Sequence, residues 1–288
     1  METTVVQQVR SILEPRSIAV IGAGEDRKRW TGRMIFSPLN TGYKGAIYPV
    51  NPNRDTVFGL KAYRSILDVP GQVDLAVIVV PVQLTPGVMR ECVKHGVKGA
   101  VIITAGFAEV GEEGKSIQDE VVRIAHEGGI RFVGPNCAGI YSSAARLNLS
   151  IHSALPGHIA FVSQSGTLGG YLFQYASSKG YGLSKFVSAG NQASLNMSDY
   201  LEYLAQDNDT KAIVLYIEGI KEGRRFLDVA REVVKKKPIV VFKGGKSGPG
   251  TRAARSHTAS LSGSDAVFDA VCKQAGIIRC DECFHPLN

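Results

Sequence analysis

The chain has 288 residues, 44% of them hydrophobic and 20% charged, with a formal net charge of +7. That composition excludes a disordered chain and is long enough for two domains with separate cores. The basic balance lacks aromatic–basic interleaving, and Lys235–Lys237 falls where a helix should end, so neither nucleic acid nor a membrane is expected as a partner. No apolar run approaches the roughly 20 residues of a membrane span, and the opening METTVVQQVRSILEP reads as an amphipathic helix without a signal-peptide core. The five cysteines are odd in number and scattered through ordinary α/β sequence, which argues against a disulfide framework. A soluble, cytoplasmic protein is expected.

In chain order, β-branched strands alternate with helical segments in two series. The first has strands at 17–21, 46–50, 75–80, 100–103 and 131–133, with helices near 31–41, 84–95 and 113–128. This spacing predicts a doubly wound parallel sheet. The second has strands at 159–162, 185–188, 212–217, 239–242 and 277–279, with helices near 168–179, 196–206, 223–236 and 264–275. It predicts a flavodoxin-like parallel sheet. Residues 134–157, with GPNCAG, two prolines and little periodicity, read as the connection, and the boundary is set near 146. The fold class is therefore α/β, with domains at 1–145 and 146–288.

The strand ends carry the chemistry. The first βα turn, Gly22-Ala23-Gly24, permits close backbone approach to a phosphorylated ligand. The third glycine of a dinucleotide fingerprint is replaced by Arg27, and the second strand ends in Asn51-Pro52-Asn53-Arg54 with no acidic residue. That pattern disfavours NAD and suits a phosphorylated ribose, which CoA and NADP both carry. No hydride-transfer constellation follows, which ranks an NADP-dependent oxidoreductase third. Bends at Pro81 and at Thr104-Ala105-Gly106-Phe107 would flank a ligand over the same edge. In the second series, Ser163-Gln164-Ser165-Gly166-Thr167 turns a strand directly into a helix whose free amides and positive dipole end form an anion site. The leading glycine of a serine nucleophile elbow is missing there. Glu218, at the end of an apolar strand beside Gly219, is a candidate to orient an imidazole. The imidazole is His257, in the loop SHTASLSG, with Arg252 and Arg255 close enough in sequence to favour a transient phosphate. Cys280, Cys283 and His285 supply too few donors for a metal site, so no metal is expected in this chain. His95, His126, His152 and His158 are expected as surface or cap residues.

As an ordered set, SIAVIGAG, YPVNPN, DLAVIVVP, ITAGFAEVGEEG, GPNCAG, IAFVSQSGTLG, SAGNQAS, YIEGI and SHTASLSGSD resemble the NDP-forming acyl-CoA synthetases, relatives of the succinyl-CoA synthetase alpha subunit. The resemblance covers essentially the whole chain and looks closer to the ADP-forming branch. It implies a Rossmann-like CoA-binding domain followed by a flavodoxin-like domain with a phosphohistidine. The family's phosphohistidine would fall on His257, its supporting glutamate on Glu218, and its helix-terminus phosphate site on Ser163, Ser165, Gly166 and Thr167. Its CoA loops would fall on Gly22, Ala23, Gly24, Asn51, Pro52, Asn53, Pro81 and the turn Thr104, Ala105, Gly106 and Phe107, with Arg54 and Asn136 as further candidates for the same site. The implied reaction interconverts acyl-CoA, NDP and phosphate with a small carboxylic acid, CoA and NTP. An ATP-grasp beta subunit would supply the ATP/ADP site with its Mg2+. The chain departs from the family pattern at Ser194, where many members have aspartate, and at Ala259, where they have glycine. A non-catalytic CoA-binding protein that retains the fold is the alternative.

Overall fold

The computed structural model describes residues 4–244 and 264–280. Helix α1 (Thr4–Leu13) buries Val6, Val9, Ile12 and Leu13 on one face, as an amphipathic helix must. It leads into β1 (Ser17–Ile21), whose five residues are all buried. The first sheet continues with β2 (Ala46–Val50), β5 (Leu75–Ile78), β6 (Gly99–Ile102) and β7 (Arg131–Val133), in the order β2-β1-β5-β6-β7, all parallel. β5 and β6 are buried at every position, the pattern of strands covered on both faces. Helices α2 (Trp30–Thr41), α3 (Thr85–His95) and α4 (Glu112–Glu127) make the crossovers. Since β1 lies between β2 and β5, the chain reverses its winding there, and the crevice of a doubly wound sheet opens at the carboxyl ends of these strands. A small hairpin, β3 (Thr56–Val57) and β4 (Leu60–Lys61), follows β2 and turns through Phe58 and Gly59, both at positive φ.

The second sheet is built on β10 (Pro156–Ser163), with β11 (Leu183–Ser188) on one side and β12 (Ala212–Ile217), β13 (Ile239–Lys243) and β14 (Ile278–Cys280) on the other, all parallel. Helices α5 (Gly166–Ser178), α6 (Met197–Leu204), α7 (Gly223–Val234) and α8 (Asp265–Ala275) connect them. The winding reverses at β10, between β11 and β12, with Ser163 paired to Tyr216. That crevice therefore faces both the start of α5 and the end of β12. Under α5, Phe173 meets Phe186 edge-on at 5.0 Å between ring centroids.

Most predicted elements lie within two or three residues of the observed ones. The segment 134–157 does not. In place of a plain connection it forms an antiparallel hairpin, β8 (Gly139–Ser142) and β9 (Leu147–Ser150), which extends the second sheet beyond β11. The backbone thus passes between the sheets at 134–138, upstream of the boundary expected near 146. The pattern hid this hairpin because all eight of its strand residues are buried, polar Ser142, Asn148 and Ser150 included, so no alternation of apolar and polar residues marks it. Among the described residues, no helix is long and apolar enough to cross a membrane.

Candidate active site

At the first sheet's carboxyl edge the predicted turns are tied to one another. Gly22 and Ala23 donate backbone N–H bonds to the Val50 carbonyl at 2.9 and 3.2 Å. The Asn51 amide nitrogen donates to the Ala23 carbonyl at 2.7 Å, and the Asn51 oxygen accepts the Asn53 N–H at 2.9 Å. Gly22 sits at φ +91°, and a Cβ there would collide with the Val79 carbonyl. Pro52, Asn53 and Arg54 are exposed. The Arg54 guanidinium lies 3.4 Å from the Glu25 carboxylate, so a phosphate at Arg54 would have to replace that partner. Pro81 begins the bend after β5. The Thr104 hydroxyl donates to the Val80 carbonyl at 2.7 Å, and the Asn136 N–H donates to the Thr104 carbonyl at 2.9 Å.

The next turn is held by a carboxylate that the sequence reading passed over. Glu109 Oε1 accepts the N–H groups of Gly106 and Phe107 at 2.6 and 3.1 Å, and Oε2 accepts from the Asn191 amide at 2.5 Å. Burial would raise the Glu109 carboxyl, but these donors outweigh it and hold the group below the ordinary carboxylate range.

In the second sheet, Ser165 caps α5 by accepting the Leu168 N–H at 3.3 Å, leaving the amides of Gly166 and Thr167 at the helix start. Ser163 does not line the site as expected. It is fully buried, and its hydroxyl donates to the Ser165 carbonyl at 2.7 Å, which shapes the turn. Gln164, between the two serines, is the larger omission. Its side-chain oxygen accepts the N–H groups of Glu218 and Gly219, and its nitrogen donates to the Gly219 carbonyl at 2.6 Å. On the other side, the Lys243 ammonium donates to the Glu218 carbonyl at 2.8 Å; burial lowers its proton affinity. Glu218 is thereby fixed at the end of β12, only 6% exposed. Gln164 is itself 6% exposed, and its amide is satisfied by a backbone 54 and 55 residues away, a link with no local mark in the sequence.

Two adjoining cavities bring the parts together. One, of about 390 Å3, is lined by Trp30, Ala105 and Asn136 from the first sheet and by His152, Gly166 and Thr167 from the second. The other, of about 690 Å3, is lined by Glu218, Gln118 and Lys221 among others, and Gln164, Gly190 and Asn191 belong to both. Gly22, Asn51–Arg54 and Pro81 line neither cavity, although they lie at the same sheet edge. His152, expected as a surface or cap residue, instead lines the smaller cavity, where burial and then Arg33 lower its proton affinity. Its place follows from the unforeseen hairpin. Ser194 serves packing, its hydroxyl accepting the Phe132 N–H at 3.3 Å. His257, Arg252, Arg255, Ala259, Cys283 and His285 lie outside the described residues. Among the described residues, no cluster of three or more His, Cys, Asp or Glu side chains could hold a metal ion.

Residues 16–143 match the model of a CoA binding domain, and residues 156–285 that of a succinyl-CoA ligase like flavodoxin domain. The chain is 30% identical to subunit alpha 2 of the ADP-forming succinate–CoA ligase of Archaeoglobus fulgidus, over 83% of this chain and 82% of that protein. The chain belongs to the succinyl-CoA synthetase alpha-subunit family of NDP-forming acyl-CoA synthetases. Within that family it is more similar to subunit alpha of the ADP-forming acetate–CoA ligase II of Pyrococcus furiosus, at 51% identity over 92% of this chain and 58% of the relative. Among solved structures, the dinucleotide-forming acetyl-coenzyme A synthetase 1 of Ca. Korarchaeum cryptofilum, in complex with phosphate and ADP, superposes with a TM-score of 0.91 at 42% identity, over 96% of this chain and 60% of that one. The chain thus spans about three fifths of these two acetate-activating relatives.

Proposed function

We propose that this chain is the alpha-type part of an NDP-forming acid–CoA ligase, an acid–thiol ligase that interconverts acyl-CoA, NDP and phosphate with acid, CoA and NTP. The observation that carries the reading is the shared cleft, in which Ala105 and Asn136 of the CoA-type domain face the Gly166–Thr167 helix start of the flavodoxin-like domain. Such a cleft suits a thioester carbonyl brought against a phosphate held by helix amides. The proposed division of labour follows the domains, CoA on the first and the phosphoryl group on the second.

In the acyl-CoA direction, a phosphate oxygen attacks the thioester carbonyl, the C–S bond breaks, and CoA leaves as acyl phosphate forms. An imidazole nitrogen of His257 then attacks phosphorus, and the carboxylate leaves with the bridging oxygen. Gly166 and Thr167 supply amides for the phosphate oxygens, while Ser165 and Ser163 hold the turn that presents them. Glu218 orients the His257 ring, held in place by Gln164 and Lys243. CoA lies over Gly22–Gly24, Asn51–Arg54, Pro81, Thr104–Gly106 and Asn136. The phosphoryl group passes to ADP, which with its Mg2+ sits on an ATP-grasp partner. A small carboxylic acid is the remaining substrate, and the enzyme works in the cytoplasm. The non-catalytic alternative draws no support from the three relatives described above, which are named as ligases or a synthetase.

The test is phosphorylation of the full chain by acetyl-CoA and labelled inorganic phosphate, with and without an ATP-grasp partner. Wild type should acquire an acid-labile, base-stable phosphate, His257→Ala none, and Glu218→Gln should acquire it more slowly without loss of folding. Equal labelling of His257→Ala and wild type would sink the proposal.

A further inference from the structure

Asn191 stands in the wall between the two cavities with all of its polar groups engaged. Its side-chain nitrogen donates to Glu109 Oε2 at 2.5 Å and to Gln118 Oε1 at 3.0 Å. Its side-chain oxygen accepts from the Asn136 amide at 3.4 Å, and its backbone N–H donates to the Pro135 carbonyl at 2.9 Å. All four partners belong to segments that precede β8, whereas Asn191 follows β11 of the second sheet. On its far side, the Lys221 ammonium donates to the Asn191 and Gln192 carbonyls at 3.0 and 2.9 Å. Lys221 lies three residues after Glu218 in the same loop.

The turn around Asn191 is shaped for these contacts. Gly190 and Gln192 both adopt positive φ, +56° and +52°, and a Cβ at Gly190 would collide with the Pro135 carbonyl. The backbones of 190–191 and 135–136 are therefore in direct contact, a seat that only glycine permits at position 190. An unbroken series of hydrogen bonds results. It runs from the Gly106 and Phe107 amides to Glu109, across to Asn191, and on to Lys221 and the loop that begins at Glu218.

We propose that Asn191 is a positioning residue that couples the Thr104–Phe107 turn to the Glu218–Lys221 loop, so that CoA bound over the one adjusts the phosphoryl-transfer apparatus at the other. The inference rests on the function proposed above and adds a coupling between its two halves. All of these bonds except the exposed one from Lys221 to the Asn191 carbonyl are partly out of water, so losing one member leaves its neighbours unsatisfied and shifts the turn it held. Asn191 serves as donor and acceptor at once, which aspartate or leucine at this position could not reproduce.

A double-mutant cycle on the full chain tests this. CoA affinity is measured by calorimetry, and labelling of His257 by acetyl-CoA and inorganic phosphate. Asn191→Asp sets a second carboxylate against Glu109 and should weaken CoA binding by about tenfold or more, with slower labelling. Adding Glu109→Gln reverses the donor and acceptor roles and should restore both. Lys221→Met, on the far side from the CoA turn, should weaken CoA binding in the wild-type background. Combined with Glu109→Ala, its effect should depart from the product of the single effects by about threefold or more, since both act through Asn191. If Asn191→Asp does not fold, the Glu109–Lys221 cycle decides, because it leaves Asn191 intact. Multiplicative effects of Glu109→Ala and Lys221→Met, or a Lys221→Met protein that binds CoA like wild type, would overturn the coupling while leaving the proposed function in place. Failure of wild type to bind CoA would overturn both.

Discussion

The two ends of the strands are built differently. At the amino end, charges are buried and paired. Lys185, 1% exposed, lies 3.4 Å from Asp207 and 3.7 Å from Glu14, and the Tyr203 hydroxyl donates to Glu14 at 2.6 Å. This cluster ties the end of α1 to the second sheet. Asp74 plays the same part in the first sheet, accepting the Arg16 N–H at 2.8 Å and the Lys98 ammonium at 2.7 Å. At the carboxyl end, glycines at positive φ, backbone amides and side-chain amides surround open cavities, and the charged groups at the cleft are Glu109, Glu218, Lys221 and their neighbours. Ion pairs at one end hold strands that emerge at the other in defined places, so affinity and stability should respond to different residues.

That separation can be broken or sharpened by experiment. The largest effect is expected from Lys185→Met, which leaves Asp207 buried without its cation and should cost about 3–5 kcal/mol, measured by urea unfolding. CoA affinity of the folded protein should be unchanged, and an equal loss of affinity would end the separation of the two edges. A smaller loss, about 2–3 kcal/mol at neutral pH, is expected for Asp74→Asn. Burial would raise the Asp74 carboxyl, but Lys98 and the Arg16 N–H hold it below the ordinary range. A carboxyl lowered on folding stabilises the protein above its unfolded value and ceases to do so as pH falls through the folded one. The wild-type advantage over Asp74→Asn should accordingly shrink with acidification, and a gap independent of pH would assign the effect to packing. The smallest change belongs to the carboxyl edge. Arg54→Ala should weaken CoA but not dephospho-CoA, by about 1–2 kcal/mol, since a charged hydrogen bond to phosphate is partly offset by the exposed Glu25 pair given up to make it. Equal losses for both ligands would remove the 3'-phosphate from this position.

Strands such as 17–21 and 212–217 could be read to the residue because they are β-branched runs bounded by turn residues, and their positions depend on local pattern alone. The positions of Gly22, Glu218 and the Ser165–Thr167 helix start at strand ends were legible for the same reason. Gln164, Glu109 and Asn191 were not. Each acts on a partner 54 to 82 residues away, and an amide or carboxylate carries no local mark of which distant backbone it will meet. Arg54 is legible as a cation in the loop after the second strand, yet its pairing with Glu25 depends on how two loops approach.

The order of strands and turns, the small residues at the strand ends and the kinship with acyl-CoA synthetases were all determined by the sequence, through hydrophobic periodicity and the backbone freedom of glycine. Only the tertiary structure decided that the turn after β6 and Asn136 meet the start of α5 across a shared cavity, that 139–150 completes the second sheet, and that His152 and Asn191 stand in the cleft. Packing between sheets decides these matters, and hydrogen bonds between residues far apart in sequence form only once both sheets are in place.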